Sequence, residues 1–163
     1  MRKVLIVDVD LCTGCGLCEL ACSFEKTGEF SRTNSRIRLF VWEETAECVP
    51  ILCYQCEEAP CITVCGVPGA IKRDPKTGAV VIDETKCIGC KVCMTVCPYG
   101  GIGLDREGRI IKCDLCGGEP KCAEVCPRNA IIWTRADKAS IQLKRLFSEK
   151  LKVASKGTAA ALR

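Results

Sequence analysis

Cysteine spacing constrains this chain more than any other feature. Cys12, Cys15, Cys18 and Cys22 read C-x2-C-x2-C-x3-C, and Cys87, Cys90, Cys93 and Cys97 repeat those intervals with Pro98 behind them. Cys53, Cys56, Cys61 and Cys65 follow a looser x2, x4, x3 pattern, and Cys113, Cys116, Cys122 and Cys126 an x2, x5, x3 pattern ending at Pro127. Of the 17 cysteines only Cys48 stands outside a quartet. A buried apolar thiol is its plainer reading.

The 48% hydrophobic content counts those cysteines, and the chain carries only eight aromatic rings among 163 residues. So thin an apolar supply needs staples, either disulfides or thiolate–metal bonds. The odd total disfavours full pairing. The start, Met1-Arg2-Lys3-Val4-Leu5-Ile6-Val7-Asp8, holds four apolar residues in a row with no cleavage site or twin arginine, so a cytoplasmic location is expected. Nothing approaches the roughly 18 unbroken apolar residues that span a bilayer. Histidine is absent. That excludes His-based hydrolytic triads and His-ligated haem and leaves sulfur as the metal donor.

The x2, x2, x3 run is the bacterial ferredoxin pattern for a 4Fe-4S cluster. Three cysteines in one tight loop can face three irons of a cubane. The fourth, expected on the first turn of the following helix, reaches a neighbouring cluster, so quartets work in pairs. Gly14, Gly16 and Gly89 let the backbone wrap closely and aim amide N–H groups at sulfide. Pro98 and Pro127 are expected to end the short helices. Structural zinc also accepts C-x2-C, but it gathers two separated pairs on one ion and has no use for a third and fourth cysteine at these intervals. The residues therefore point to four 4Fe-4S clusters on sixteen cysteines, with a structural zinc module as the remote alternative.

Between the quartets the elements are brief. Residues 2–9 read as a strand, 17–24 as a short helix, and 35–42 as a half-exposed strand. Ala70-Ile71 and residues 79–82 flank the turn Asp74-Pro75-Lys76-Thr77-Gly78; residues 101–104 with 109–111, and 130–134, follow the third and fourth quartets. A small residue and an isoleucine recur after three quartets, in Gly69-Ala70-Ile71, Gly100-Gly101-Ile102 and Asn129-Ala130-Ile131, the mark of a repeated module. The expected fold class is α+β: tandem ferredoxin-like modules with short strands and helices nucleated by four 4Fe-4S clusters, plus a C-terminal helix. The four-cluster domain is expected over 1–134 and a basic amphipathic tail over 135–163. Spacing alone allows quartets one and four to enclose two and three, or one to pair with two and three with four.

Asp10-Leu11-Cys12-Thr13-Gly14-Cys15-Gly16-Leu17-Cys18 after a strand, Pro60-Cys61-Ile62-Thr63-Val64-Cys65, and the order of the four quartets resemble the four-cluster electron-transfer subunits of molybdenum and tungsten oxidoreductases. These are of the dimethyl sulfoxide reductase and formate dehydrogenase type, and the resemblance covers residues 2–134. At this length the chain is also similar to the iron-sulfur subunits of tungsten aldehyde oxidoreductases and of tungsten-dependent class II benzoyl-CoA reductases. The resemblance implies that the first quartet pairs with the fourth and the second with the third. Cys12, Cys15, Cys18 and Cys126 then hold one cluster, and Cys113, Cys116, Cys122 and Cys22 another. Cys53, Cys56, Cys61 and Cys97 hold a third, and Cys87, Cys90, Cys93 and Cys65 the last. Ser23 and Gly66 stand where several relatives have proline, a departure that touches loop shape and no ligand. The partner implied is a larger tungsten or molybdenum catalytic subunit of an anaerobic oxidoreductase, with a flavin- or NAD-binding subunit or a soluble ferredoxin at the other end of the relay. Aldehyde oxidation is the first expectation for it and benzoyl-CoA reduction the alternative.

Sixteen ligands for four cubanes leave no open iron, and no nucleotide, flavin or molybdopterin motif appears. The expectation is an electron-transfer subunit without a catalytic site of its own, with a free-standing polyferredoxin as the alternative. The formal charge of +4 counts cysteine as neutral; four clusters at about −2 each reverse its sign. Residues 135–163 carry eight Lys and Arg against Asp137 and Glu149. In that tail Ser140 is expected to cap a helix whose stripe is Leu143, Phe147 and Leu151, widened by Ile141 and Leu146. Residues 137–163 are expected to dock on the catalytic subunit or on a second copy of the chain. Nucleic acid is not an expected partner, since Phe147 is the only aromatic among those charges.

Overall fold

The structure is a computed structural model that describes residues 3–145 and 148. Its β structure, among those residues, consists of four separate two-stranded antiparallel ribbons. Strand β1 (Lys3–Val7) pairs with β8 (Ile131–Arg135), setting Leu5 opposite Trp133 and Val7 opposite Ile131. Strand β2 (Arg38–Trp42) pairs with β3 (Glu47–Ile51), β4 (Ile71–Arg73) with β5 (Val80–Ile82), and β6 (Ile102–Leu104) with β7 (Ile110–Lys112). Ribbons of three to five residues per strand are marginal alone, because each lacks a second layer to bury a face. They are held by what they pack around.

Helix α1 (Leu17–Thr27) packs against α4 (Lys121–Glu124), and α2 (Pro60–Thr63) against α3 (Val92–Thr95). The outer ribbon β1–β8 closes the chain on itself, bringing the first quartet beside the fourth, while the second and third meet between them. Two cores result. One gathers Leu5, Ile37, Leu52, Ala79, Leu115 and Ile131 around Cys18, Cys22, Cys53, Cys113 and Cys122. The other gathers Ala59, Ile71, Val80, Ile102 and Ile110 around Cys61 and Cys93. Cysteine supplies the side chains that aliphatic residues are too few to provide. The helical turns and ribbons agree with the expected α+β class.

Several expectations need correction. Strand β3 is not legible in the sequence, because Pro50 lies inside it; that proline is fully buried opposite Leu39. Conversely, Ser35 to Ile37 precede the strand β2. The short turns α2, α3 and α4 carry the third cysteine of their quartets (Cys61, Cys93, Cys122), and the fourth (Cys65, Cys97, Cys126) follows the helix end. Only α1 is long enough to include its fourth, Cys22. The turns end before Pro98 and Pro127 are reached, and α2, which has Gly66 in place of that proline, ends at the same distance from its fourth cysteine, so proline does not set the helix end. Ser140 is inside the last helix, not its cap: β8 runs directly into helical residues 136–145. Asp137, in the first turn, takes two hydrogen bonds from the Arg135 guanidinium at 3.0 and 2.8 Å. Ala139 is buried, Ile141 and Leu143 are exposed, and Leu146, Phe147 and Leu151 lie outside the described residues.

Candidate metal centre

Each quartet opens with the same turn. The second residue after its first cysteine has a left-handed backbone in all four: Gly14 (φ 71°), Gln55 (52°), Gly89 (70°) and Leu115 (60°). This reverses the chain so that the amide two residues on faces the first sulfur. Gln55 N–H donates to Cys53 Sγ at 3.4 Å and Leu115 N–H to Cys113 Sγ at 3.5 Å. Three of the fourth cysteines receive amides as well: Arg36 N–H to Cys22 Sγ at 3.3 Å, Gly101 to Cys97 at 3.3 Å and Ala130 to Cys126 at 3.2 Å, whereas Cys65 Sγ donates to Val67 O at 3.6 Å. Amide dipoles aimed at sulfur suit an anionic thiolate.

The sulfurs assemble across quartets. Cys12, Cys15, Cys18 and Cys126 line one hollow. Cys22, Cys113, Cys116 and Cys122 line a second. Cys56, Cys65, Cys87 and Cys97 pack around Cys61 and Cys93 in the other core. Cys53 is within electrostatic reach of both Cys61 and Cys113, Cys61 of Cys93, and Cys122 of Cys18. The thiols thus form one file, and only Cys15 and Cys90 at its two ends are exposed. Cys48 is half-buried, and its Sγ leans on the Gly14 turn, where an added Cβ would come within 2.8 Å. It is not enclosed as fully as expected.

Burial pushes the Cys18 and Cys113 thiols up to about 12 and raises Cys122, Cys12, Cys61, Cys93 and Cys116 as well. Desolvation disfavours the thiolate, and neighbouring sulfurs add to the effect. A cage of buried thiols is neutral by itself and becomes anionic only when a cation enters. Among the described residues no three Cys, Asp or Glu side chains converge closely enough to hold a single ion. Four sulfurs around a hollow suit a polynuclear cluster, not mononuclear zinc. These residues fit 4Fe-4S clusters.

Two polar residues without an obvious sequence signal belong to the centre. Gln55 is fully buried; its amide nitrogen donates to Cys113 O at 2.8 Å and its oxygen accepts from Val80 N at 2.7 Å. Lys112 is buried with its Nζ 3.0 Å from Cys53 Sγ. Nearby, Glu19 is buried with Oε1 accepting Leu39 N–H at 3.0 Å; Arg32 Nε stands 3.4 Å from Oε2, charge-paired but not hydrogen-bonded.

Comparison with known proteins fits this geometry. Residues 45–134 match the 4Fe-4S dicluster domain and residues 5–25 the 4Fe-4S binding domain. The chain is 42% identical, over 77% of its length and 72% of the relative's, to the aliphatic sulfonate oxidoreductase polyferredoxin-like subunit of Pyrococcus furiosus. It is 33% identical to the electron transport protein HydN of Escherichia coli, covering 92% of this chain and 95% of that one. Over 79% of its length it is 41% identical to the NADH-dependent phenylglyoxylate dehydrogenase subunit beta of Aromatoleum evansii, of which it spans 29%. The solved active-site complex BamBC of benzoyl coenzyme A reductase aligns over 90% of this chain and 89% of that one, at 24% identity and a TM-score of 0.48. With its matched cysteine domains over more than half its length, the chain belongs to the 4Fe-4S dicluster family.

Proposed function

We propose that this chain is the electron-transfer subunit of an oxidoreductase complex. When bound, 4Fe-4S clusters take up and release single electrons. The observation that carries the reading is the unbroken file of sixteen thiols between two exposed ends, Cys15 and Cys90. The residues fix the cubanes, exclude water from the middle of the file and direct amides at sulfur. The names of relatives, a polyferredoxin-like subunit and an electron transport protein among them, support the same role. The proposed order is Cys87, Cys90, Cys93 and Cys65; then Cys53, Cys56, Cys61 and Cys97; then Cys113, Cys116, Cys122 and Cys22; then Cys12, Cys15, Cys18 and Cys126. The two sulfur-lined hollows and the pairing of α1 with α4 and α2 with α3 support this grouping.

Ile88 and Val92 stand exposed near Cys90, and Leu17 near Cys15, so each end offers an apolar rim to a redox partner. For the catalytic partner we propose a tungsten or molybdenum subunit of aldehyde-oxidising type, with benzoyl-CoA reduction as the alternative and a cytoplasmic, anaerobic setting. Among the described residues no helix is long and apolar enough to cross a membrane. Anoxic purification from the native host, with iron, tungsten and molybdenum analysis of what accompanies the chain, tests the partner. A brown chain with about sixteen irons is expected; a colourless, iron-free, folded chain would overturn the proposal. Cys126→Ser tests the grouping and is expected to alter the spectrum of the same cluster as Cys15→Ser. Alteration of the cluster perturbed by Cys113→Ser instead would refute it.

A further inference from the structure

Lys112 is the only buried lysine or arginine among the described residues. It closes β7 immediately before Cys113, and its ammonium turns inward between the two cores. Every atom around Nζ is an acceptor: Val80 O at 2.6 Å, Cys53 Sγ at 3.0 Å, and Gln55 Oε1 and Cys113 O at 3.4 Å. No carboxylate among the described residues lies within ion-pair distance of it. Burying an ammonium without a counter-charge is costly, and dipoles of carbonyls offset only part of that cost. The missing negative charge is what a cluster on Cys53 supplies. Gln55 fastens the arrangement by bridging Val80 N and Cys113 O.

We propose that Lys112 is a potential-setting residue: its ammonium, donating to Cys53 Sγ, favours the reduced state of the cluster held by Cys53, Cys56, Cys61 and Cys97 and makes that cluster a resting place for the electron in mid-relay. This rests on the iron-sulfur reading above. The step would be the transfer of one electron from a low-potential one-electron donor, adding one negative charge to the cluster whose ligand Cys53 Sγ lies 3.0 Å from the ammonium, with no proton moved. A fixed positive charge and a hydrogen bond to the ligating sulfur both stabilise the added charge, more strongly in a dry core than at a surface. Lys112 donates to the carbonyl oxygen of Cys113 and not to its sulfur, so the neighbouring cluster on Cys113 feels the charge without the hydrogen bond and the effect there is smaller. A purely structural strap would hold β5 to β7 equally well without moving any potential.

The test uses the anaerobically purified full chain, with dithionite as reductant and the potential of each cluster followed by electron paramagnetic resonance. Lys112→Gln is expected to keep its iron and lower the reduction equilibrium constant of one cluster at least tenfold, about 59 mV for one electron. Cys56→Ser, altering the spectrum of that same cluster, identifies it. Lys112→Arg, which keeps the charge, is expected to restore most of the shift. Independently, wild-type chain labelled with ¹⁵N-lysine is expected to show a lysine nitrogen coupled to a reduced cluster, a signal lost in Lys112→Gln. Unchanged potentials in an iron-replete Lys112→Gln variant overturn the inference alone. If that variant sheds iron, absence of the lysine coupling in wild type overturns it and its presence supports it. A wild-type chain that holds no iron overturns the iron-sulfur reading itself.

Discussion

Gln55 and Leu115 occupy left-handed positions that Gly14 and Gly89 fill in the other two quartets. Such a conformation is costly for a side chain with a Cβ, so each must be secured by its surroundings, and both are buried to 1% exposure. The glycines and cysteines were legible one residue at a time. Gln55, Leu115 and Lys112 were not, because what marks them is burial, which for Gln55 and Lys112 is against segments 25 to 59 positions away. Gly101 shows the same limit. It reads as a spacer in the repeat, yet an added Cβ would sit 2.8 Å from Cys53 Cα. Gly101→Ala must push backbone apart where the second and third quartets meet. We expect a loss of about 1–3 kcal/mol in stability and depletion of iron, measured by denaturant midpoint and metal content.

At the scale of elements, one ion pair of consequence ties α1 to the loop of the fourth quartet. Lys26, on the last turn of α1, reaches Asp114 Oδ2 at 2.7 Å, and Asp114 Oδ1 accepts Cys116 N–H at 3.0 Å inside the fourth quartet. Burial opposes both charges, but each partner more than offsets it: the Asp114 carboxyl is held below its usual range and the Lys26 ammonium above its own. Asp114 is still 39% exposed, so screening moderates the pair. Lys26→Ala or Asp114→Ala is expected to cost about 1–2 kcal/mol, and a double-mutant cycle by urea unfolding should show non-additivity. The ribbons β4–β5 and β6–β7 follow from turn residues between apolar pairs. Strand β3 escaped because a proline inside it contradicts local propensity; in a two-stranded ribbon each strand is an edge, where a missing N–H is tolerated, and Pro50 is buried opposite Leu39.

For the whole molecule, the pattern of four quartets announced sulfur-held iron, but not which quartets meet; that depends on β1 finding β8 across more than a hundred residues. The raised thiols give loading a pH dependence. In the metal-free state Cys18 and Cys113 bind protons more tightly folded than unfolded, which favours that fold below about pH 9 and is lost as the pH rises toward about 12. Iron uptake runs the other way, since each ligated sulfur must give up its proton, so reconstitution should go further at pH 9 than at pH 7. Proton release per iron in weakly buffered solution checks this. Deleting residues 137–163 is expected to weaken assembly with the catalytic subunit while leaving iron content unchanged, as judged by co-purification. Because the described residues form four two-stranded ribbons and no larger sheet, little β structure is expected to outlast the loss of the inorganic core. A cell short of iron or sulfide is therefore expected to lose more of this polypeptide to proteolysis, so that the supply of metal would govern how much of it survives.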